Sequence, residues 1–291
     1  MTSASQWWQG ARPRTLPAAI SPVLAGTGAA AALGSASIPR AGLAMIVTLG
    51  LQVGVNYAND YSDGIRGTDR RRVGPMRLVG SGAAAPPAVK RAAWLSFGLS
   101  AIAGGLLIWL SEQWWMAAVG MACILAAWYY TGGRRPYGYR GLGEVMVFIF
   151  FGLVAVLGTT LTQAKRISWP TWWAACGVGA LACAILLANN LRDIPTDRRA
   201  GKFTLAVRIG EDQSRWLFTG LVIAAALTIV LMLPQNPWVA LGLLAFPLAA
   251  EPVRAVLIHQ DSGPGLIPVL GATGRLQLAY AALVGAGLAL G

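Results

Sequence analysis

The chain has 291 residues, of which 56% are hydrophobic and only 12% charged, far from the roughly 25% charged residues of an average soluble domain. That balance excludes an ordinary soluble protein and implies an integral membrane protein. The formal net charge of +12 is scattered over short polar stretches between apolar runs; it reflects topology and excludes a nucleic-acid-binding surface as its cause.

The N-terminal segment, residues 1–14, carries Trp7 and Trp8 followed by Arg12 and Arg14. No small-residue cleavage site follows a short apolar core, so the pattern predicts an interfacial helix with its tryptophans at headgroup depth. A span needs about 20 mostly apolar residues. By that measure nine follow, at 15–35, 41–62, 89–110, 113–131, 142–163, 170–191, 214–233, 237–257 and 266–290. With the N-terminus in the cytoplasm, all of the 23 Lys and Arg residues except Arg40, Lys165 and Arg166 fall on the cytoplasmic side. Such a bias predicts the orientation. Cys123, Cys176 and Cys183 all lie inside apolar runs, which argues for packing and against disulfides or a thiolate metal site. Glycines such as Gly26, Gly28, Gly104, Gly105, Gly177 and Gly179 are expected to permit close helix approach.

Two of these spans end in acid clusters. The second delivers Asn56, Asn59, Asp60 and Asp63, with Asp69 beyond; the sixth delivers Asn189, Asp193 and Asp197. Residues three and four apart share a helix face, so each cluster aims two or three oxygen ligands at one point. Carboxylates beside hydrocarbon are costly without compensation and mark a functional site. Four helices separate the clusters, and a basic loop follows each. The expected fold is therefore an all-α membrane domain over 1–291, nine helices around a central cavity, built as two four-helix repeats plus one helix. Residues 63–90 and 192–213 are the expected cytoplasmic catalytic loops.

Carboxylate and amide oxygens with no His or Cys beside them select a hard cation, and Mg²⁺ binds through one or two carboxylates plus substrate phosphates. The sole histidine, His259, belongs to another loop. Four aspartates would balance two Mg²⁺, leaving a diphosphate of about −3 charge to be met by Arg and Lys. Arg66, Arg70, Arg77, Arg192, Arg198, Lys202, Arg134 and Arg135 are close at hand in sequence. A lipid diphosphate with its tail among the helices follows, ionising to an allylic cation that an acceptor captures away from water. Tyr57, Tyr61, Trp128, Tyr129, Tyr130, Phe148 and Phe151 are aromatic candidates for stabilising that cation, although packing or the interfacial belt accounts for most such residues. Glu112, Glu144 and Glu251 are isolated and are assigned no catalytic role.

The paired motifs, Asn56-x-x-x-Asp60-x-x-Asp63 and Asn189-x-x-x-Asp193-x-x-x-Asp197, resemble those of the UbiA superfamily of intramembrane aromatic prenyltransferases. The similarity is greatest to its 1,4-dihydroxy-2-naphthoate polyprenyltransferase branch, in menaquinone synthesis. It rests on Arg12 to Pro17, Asp60 to Asp69, Gly74 to Gly82, Tyr130 to Gly133 with Tyr137 to Glu144, and Asp193 to Leu205. The resemblance implies that Asp60, Asp63, Asp193 and Asp197 hold Mg²⁺ with Asn56 and Asn189 assisting. It further implies that Arg12 or Arg14, Arg77, Arg134 and Lys202 serve the diphosphate, and that Tyr130 and Tyr137 lie near the reacting carbon. Asp69 comes six residues after Asp63, as in the naphthoate branch, where the superfamily's usual spacing is four; it is assigned no metal role.

The reaction so implied moves a polyprenyl chain from polyprenyl diphosphate to 1,4-dihydroxy-2-naphthoate with loss of carbon dioxide, in the plasma membrane with the site facing the cytoplasm and membrane lipid around it. The alternatives are another acceptor such as 4-hydroxybenzoate, or a divalent-cation or anion transporter. A carrier's ion site usually sits near mid-membrane, whereas both clusters here lie at span ends. A CDP-alcohol phosphotransferase would need an Ala-Arg after its Asp-Gly, which Asp63-Gly64 lacks.

Overall fold

The structure, a computed structural model, describes residues 2–68 and 76–291. Asp69 and Arg70 lie outside the described residues. Among these the chain is helical throughout, in order α1 (Ala4–Gly10), α2 (Pro17–Ala32), α3 (Ile38–Arg66), α4 (Pro86–Ser111), α5 (Met116–Tyr129), α6 (Gly143–Ala164), α7 (Trp169–Arg199), α8 (Leu205–Ile209), α9 (Glu211–Met232), α10 (Pro237–Ile258) and α11 (Leu266–Leu290).

Each of the nine expected stretches is occupied by a helix. Among the described residues, however, only seven helices are long and apolar enough to cross a membrane, or eight if the N-terminal segment and α2, bent by 50°, count as one span. The shortfall is α5. At 14 residues and about 1.5 Å per residue, it is shorter than the roughly 30 Å of a hydrocarbon core.

The ends of α3 and α7 also differ from expectation. Both continue beyond their apolar stretch, so Asp63 and Asp193 with Asp197 stand on helix rather than in loops starting at 63 and 192. Arg66 in the last turn of α3, and Arg198 and Arg199 in that of α7, favour these extensions by facing the negative end of the helix dipole. Gly67, at φ +74°, then ends α3 in a left-handed cap that a side chain would disfavour.

Neighbouring spans pack antiparallel through small residues. Along α3 and α4, Ser100 donates to the Val47 carbonyl at 3.1 Å, Gly50 faces Ser96 and Ser100, and Gly54 faces Phe97. Elsewhere backbones nearly touch: a Cβ on Gly28 would sit 2.1 Å from the Gly285 carbonyl oxygen of α11, and one on Gly177 1.9 Å from the Tyr280 hydroxyl. Such contacts maximise dispersion and weak polar attraction where lipid offers no hydrophobic drive. Gly104 and Gly105 behave otherwise. A Cβ at Gly105 meets nothing within 4 Å, and both residues line a cavity.

The buried core centres on α7, whose small residues from Ala174 to Ala188 pack against α6, α9 and α11. A second cluster joins the N-terminal segment to α3 and α4 through Ala11, Tyr57, Leu78, Val89 and Phe97. Thus α1 is half interfacial and half docked: Trp8 is exposed, while Trp7 meets Tyr57 edge-on at 5.6 Å and accepts the Tyr57 hydroxyl on its carbonyl at 2.9 Å.

Candidate active site

A cavity of about 1030 Å³ runs between α2, α3, α4, α5, α6 and α7. Helix direction sorts its lining. The C-terminal ends of α3 and α7, with the turns after α5 and α7, contribute Asn56, Asn59, Asp63, Tyr130, Thr131, Asn189, Asn190, Arg192 and Lys202. The opposite end is apolar, with Ala44, Val47, Leu107, Ile108, Met116, Phe150, Phe151 and Gly158. A π-helical stretch, Phe148–Val154, interrupts α6 where Phe150, Phe151 and Val154 meet the cavity; such bulges recur at functional sites.

The two acid clusters meet through Tyr139, on the 3₁₀ turn Tyr137–Arg140. Its hydroxyl donates to Asp63 Oδ1 at 2.8 Å and lies 3.2 Å from Thr68 Oγ1. Lys202 Nζ sits 5.5 Å from the centre of the Tyr139 ring and 3.7 Å from Asp197 Oδ1. A continuous path, Asp63–Tyr139–Lys202–Asp197, therefore joins the end of α3 to the end of α7. Arg66 adds a second cation 5.5 Å from the same ring and ties the turn after α5 by donating to the Thr131 and Gly133 carbonyls. Burial, with Asp63 beside it, pushes the Tyr139 phenol well above its ordinary value. It is an O–H donor at neutral pH.

Each remaining carboxylate is already engaged. Both oxygens of Asp60 accept backbone N–H bonds, from Leu78 at 2.7 Å and Val79 at 2.9 Å, so Asp60 anchors the 76–82 segment and does not itself line the cavity. Arg192 forks onto Asp193, Nε to Oδ1 and Nη2 to Oδ2 at 2.7 Å each, and also donates to Asn189 Oδ1 at 2.8 Å. This buried pair leaves Arg192 facing the cavity, already neutralised on one side.

The other expected residues divide. Asn56 serves the N-terminal segment, donating to the Ala11 carbonyl at 2.9 Å and to Thr15 Oγ1 at 3.1 Å, while Gln52 donates to its Oδ1. Arg12, held at φ +56°, reaches the Asn56 carbonyl and lines the cavity, as do Arg14 and Arg77. Arg134 is exposed and does not line the cavity, because the turn at Gly133, φ +75°, carries it outward. Tyr130 and Tyr137 both line the cavity and meet edge-on at 5.4 Å; the Tyr137 hydroxyl is spent on the Ala126 carbonyl at 2.8 Å.

Of the aromatics expected to face a cation, only Tyr130 and Phe151 line the cavity. Tyr61 and Trp128 stack together at 6.2 Å beneath Lys90, Phe148 packs on Gly179, and Tyr129 is exposed. Sequence reasoning missed Tyr139 and Asn190, counted Asn59 in the first cluster without giving it a role, and set Glu144 aside. Tyr139 lay inside the Tyr137 to Glu144 stretch that carried the resemblance, and Asn190 neighbours a motif residue, so both had a signal.

Against the family models, residues 19–264 match the UbiA prenyltransferase family. The chain belongs to the UbiA prenyltransferase family. UbiA-family relatives match along its length: it is 56% identical to the 1,4-dihydroxy-2-naphthoate octaprenyltransferase of Mycobacterium tuberculosis, over 100% of this chain and 99% of that protein. It is 37% identical to the Escherichia coli enzyme of the same name, over 88% and 86%. Solved UbiA structures share the fold. A UbiA homologue from Archaeoglobus fulgidus bound to DMAPP and Mg²⁺ superposes with a TM-score of 0.62 at 16% identity, covering 96% of this chain and 98% of that one. The apo homologue from Aeropyrum pernix gives 0.67 at 16%, covering 94% and 97%.

The donor set at the polar end suits a hard divalent ion: the Asp63 carboxylate and the amides of Asn56, Asn59, Asn189 and Asn190 line the cavity there, and among the described residues no histidine does. Asp193 and Asp197, like Asp60, lie just behind that lining, beside Arg192 and Lys202. Among the described residues no three carboxylate, His or Cys groups stand together as a ready-made cage. Each carboxylate oxygen has two lone pairs, so one that already accepts a hydrogen bond retains capacity for a ligand.

Proposed function

We propose that this chain transfers a polyprenyl group from polyprenyl diphosphate to 1,4-dihydroxy-2-naphthoate, with release of diphosphate and carbon dioxide, as a step of menaquinone formation. The observation that carries the proposal is the continuity of one cavity from an apolar end to an end lined by Asp63, Arg192 and Lys202. A molecule with a hydrocarbon tail and a polyanionic head fits that division. The acceptor is suggested by full-length likeness to proteins named for 1,4-dihydroxy-2-naphthoate.

Asp63 at the cavity wall, with Asp60, Asp193 and Asp197 behind that wall and Asn189 assisting, would hold Mg²⁺; bound there, the ion would neutralise charge developing on the departing diphosphate. The chain's own residues do the rest. Lys202 and the free edge of Arg192, with Arg12, Arg14 and Arg77 across the cavity, supply cations for phosphate oxygens. Tyr139 fixes Asp63 by its O–H bond and spreads its ring under Lys202 and Arg66, keeping the two acid clusters in register. The C–O bond to diphosphate breaks with its electron pair on oxygen, and the electron-rich ring captures the allylic carbon at the position bearing the carboxylate, which leaves as carbon dioxide and returns its C–C electron pair to the ring. Tyr130, at the polar end of the cavity, is the aromatic ring placed to meet developing positive charge, and the apolar walls, Phe151 among them, exclude water that would quench it.

The basic loops support an orientation with the polar mouth toward the cytoplasm. The test is to incubate purified protein with a polyprenyl diphosphate, Mg²⁺ and either 1,4-dihydroxy-2-naphthoate or 4-hydroxybenzoate, and to identify the lipid product by mass. A prenylated naphthoquinol lacking the carboxyl group is expected. Product from 4-hydroxybenzoate alone would overturn the assignment of acceptor.

A further inference from the structure

Beside the acid clusters lies a buried polar pair that the diphosphate chemistry does not use. Glu144, the second residue of α6, is 6% exposed, and its Oε1 accepts from Asn190 Nδ2 at 2.8 Å. The bond crosses from α6 to α7. A carboxylate only accepts, so the amide nitrogen of Asn190 must face Glu144 and its Oδ1 must face elsewhere. Asn190 is 3% exposed and lines the cavity. Among the described residues its Oδ1 receives no hydrogen bond, and Glu144 Oε2 is buried with no partner.

Of the two, only Glu144 Oε2 is buried without a donor. Asn190 Oδ1 is an open acceptor on the cavity wall, which points to a ligand that brings the donor. The place is informative. Asn190 follows Asn189 and stands one helical turn before Ile194, at the polar end of the cavity, and the Tyr130 hydroxyl lies 3.4 Å from where a Cβ on Gly143 would stand. Of the molecules the cavity would take, a prenyl diphosphate offers acceptors at its head and none at its tail. A hydroxylated aromatic ring offers O–H donors.

We infer that Asn190 Oδ1 accepts a hydrogen bond from a ring hydroxyl of the aromatic acceptor, with Glu144 as the positioning residue that holds the amide in that orientation. The inference rests on the proposed function, since it needs a hydroxylated aromatic acid as substrate. It assigns a role to Glu144, buried beside the site, and gives the cavity a donor-reading amide on the same helix as Arg192. A site built to receive a hydroxyl discriminates against a ring that lacks it.

The test uses the full-length protein in lipid nanodiscs with 1,4-dihydroxy-2-naphthoate, a polyprenyl diphosphate and Mg²⁺, and 2-naphthoate as a competing ring without hydroxyls. Glu144→Met removes the acceptor that holds the Asn190 amide, so KM for the dihydroxy acid is expected to rise several-fold, and about tenfold in Asn190→Ala. Glu144→Gln keeps a carbonyl oxygen that can accept from Asn190 and should stay near wild type. KM for the diphosphate, half-saturating Mg²⁺ and the inhibition constant of 2-naphthoate should stay put in all three. A collapsed fold would move all of them together. An unchanged KM for the dihydroxy acid in Glu144→Met and Asn190→Ala overturns the inference, as does an equal shift in the diphosphate or Mg²⁺ constants. If the wild-type protein does not convert the acid at all, the functional proposal itself fails, and this inference with it.

Discussion

Replacing Tyr139 by Phe isolates the contact that joins the two acid clusters. The substitution removes one O–H donor, 2.8 Å from Asp63 Oδ1, and keeps the ring that lies 5.5 Å from both Lys202 and Arg66. A hydrogen bond to a charged group contributes about 1.5–3 kcal/mol. If Asp63 must be held in place for turnover, that loss lowers kcat/KM by about 10- to 150-fold at 1.36 kcal/mol per decade. Tyr139→Ala also removes the ring and should cost more. Because burial raises the phenol above its ordinary value, the O–H bond is intact below about pH 10 and is lost only as pH climbs through the raised folded value. The ratio of wild-type to Tyr139→Phe activity should therefore be constant from about pH 6 to 9, where an unshifted Tyr stays protonated. Steady-state assays of prenylated product across that range measure it. Equal kcat/KM for the two proteins would refute the coupling of the clusters through Tyr139.

Asp193→Ala is expected to abolish turnover, since it also strands the buried Arg192 guanidinium, whereas Glu112→Ala, which touches only an exposed pair with Lys165, should leave product formation unchanged in the same assay. Asp60→Asn sets an amide nitrogen against one of the two N–H groups of Leu78 and Val79, so the 76–82 segment should loosen by about 1–3 kcal/mol, read as faster proteolysis there. Filling the apolar end at Gly105, where a Cβ meets nothing within 4 Å, should favour shorter tails: Gly105→Phe is predicted to shift the preferred diphosphate to fewer isoprene units in a competition assay. Gly28→Ala drives a methyl group to within 2.1 Å of the Gly285 carbonyl oxygen, and overpacking of that kind costs about 1–3 kcal/mol, measurable as a lower unfolding temperature in detergent.

The all-helical membrane fold and both acid clusters were legible because they depend on local chemistry, apolar runs of a given length and oxygen donors at spacings of three and four; the count of nine spans was not, since among the described residues only seven or eight helices are long and apolar enough. What the sequence hid depends on distance in space. Nothing in the string Tyr137-Gly-Tyr-Arg says that Tyr139 rather than Tyr137 touches Asp63; that follows from the fold of a 3₁₀ turn against α7, where Phe203 N donates to the Tyr139 carbonyl at 3.0 Å. Glu144 looked isolated because its partner is 46 residues away. Asp60 matched the expected motif, yet its oxygens accept from backbone N–H groups of a segment whose path no periodicity reveals. The extra turns of α3 and α7 were read as loops because polar composition and helical geometry part company there: the last turns are charged but well capped.

Metal retention in the presence of a non-ionising prenyl thiodiphosphate tests most directly whether the ends of α3 and α7 form a single site. Mn²⁺ bound by the wild-type protein would be followed by electron paramagnetic resonance in Asp63→Ala and Asp197→Ala. Loss of the bound signal in both variants is the predicted result. Full retention in either one would mean that the two helices do not share the ion, and the account would fall.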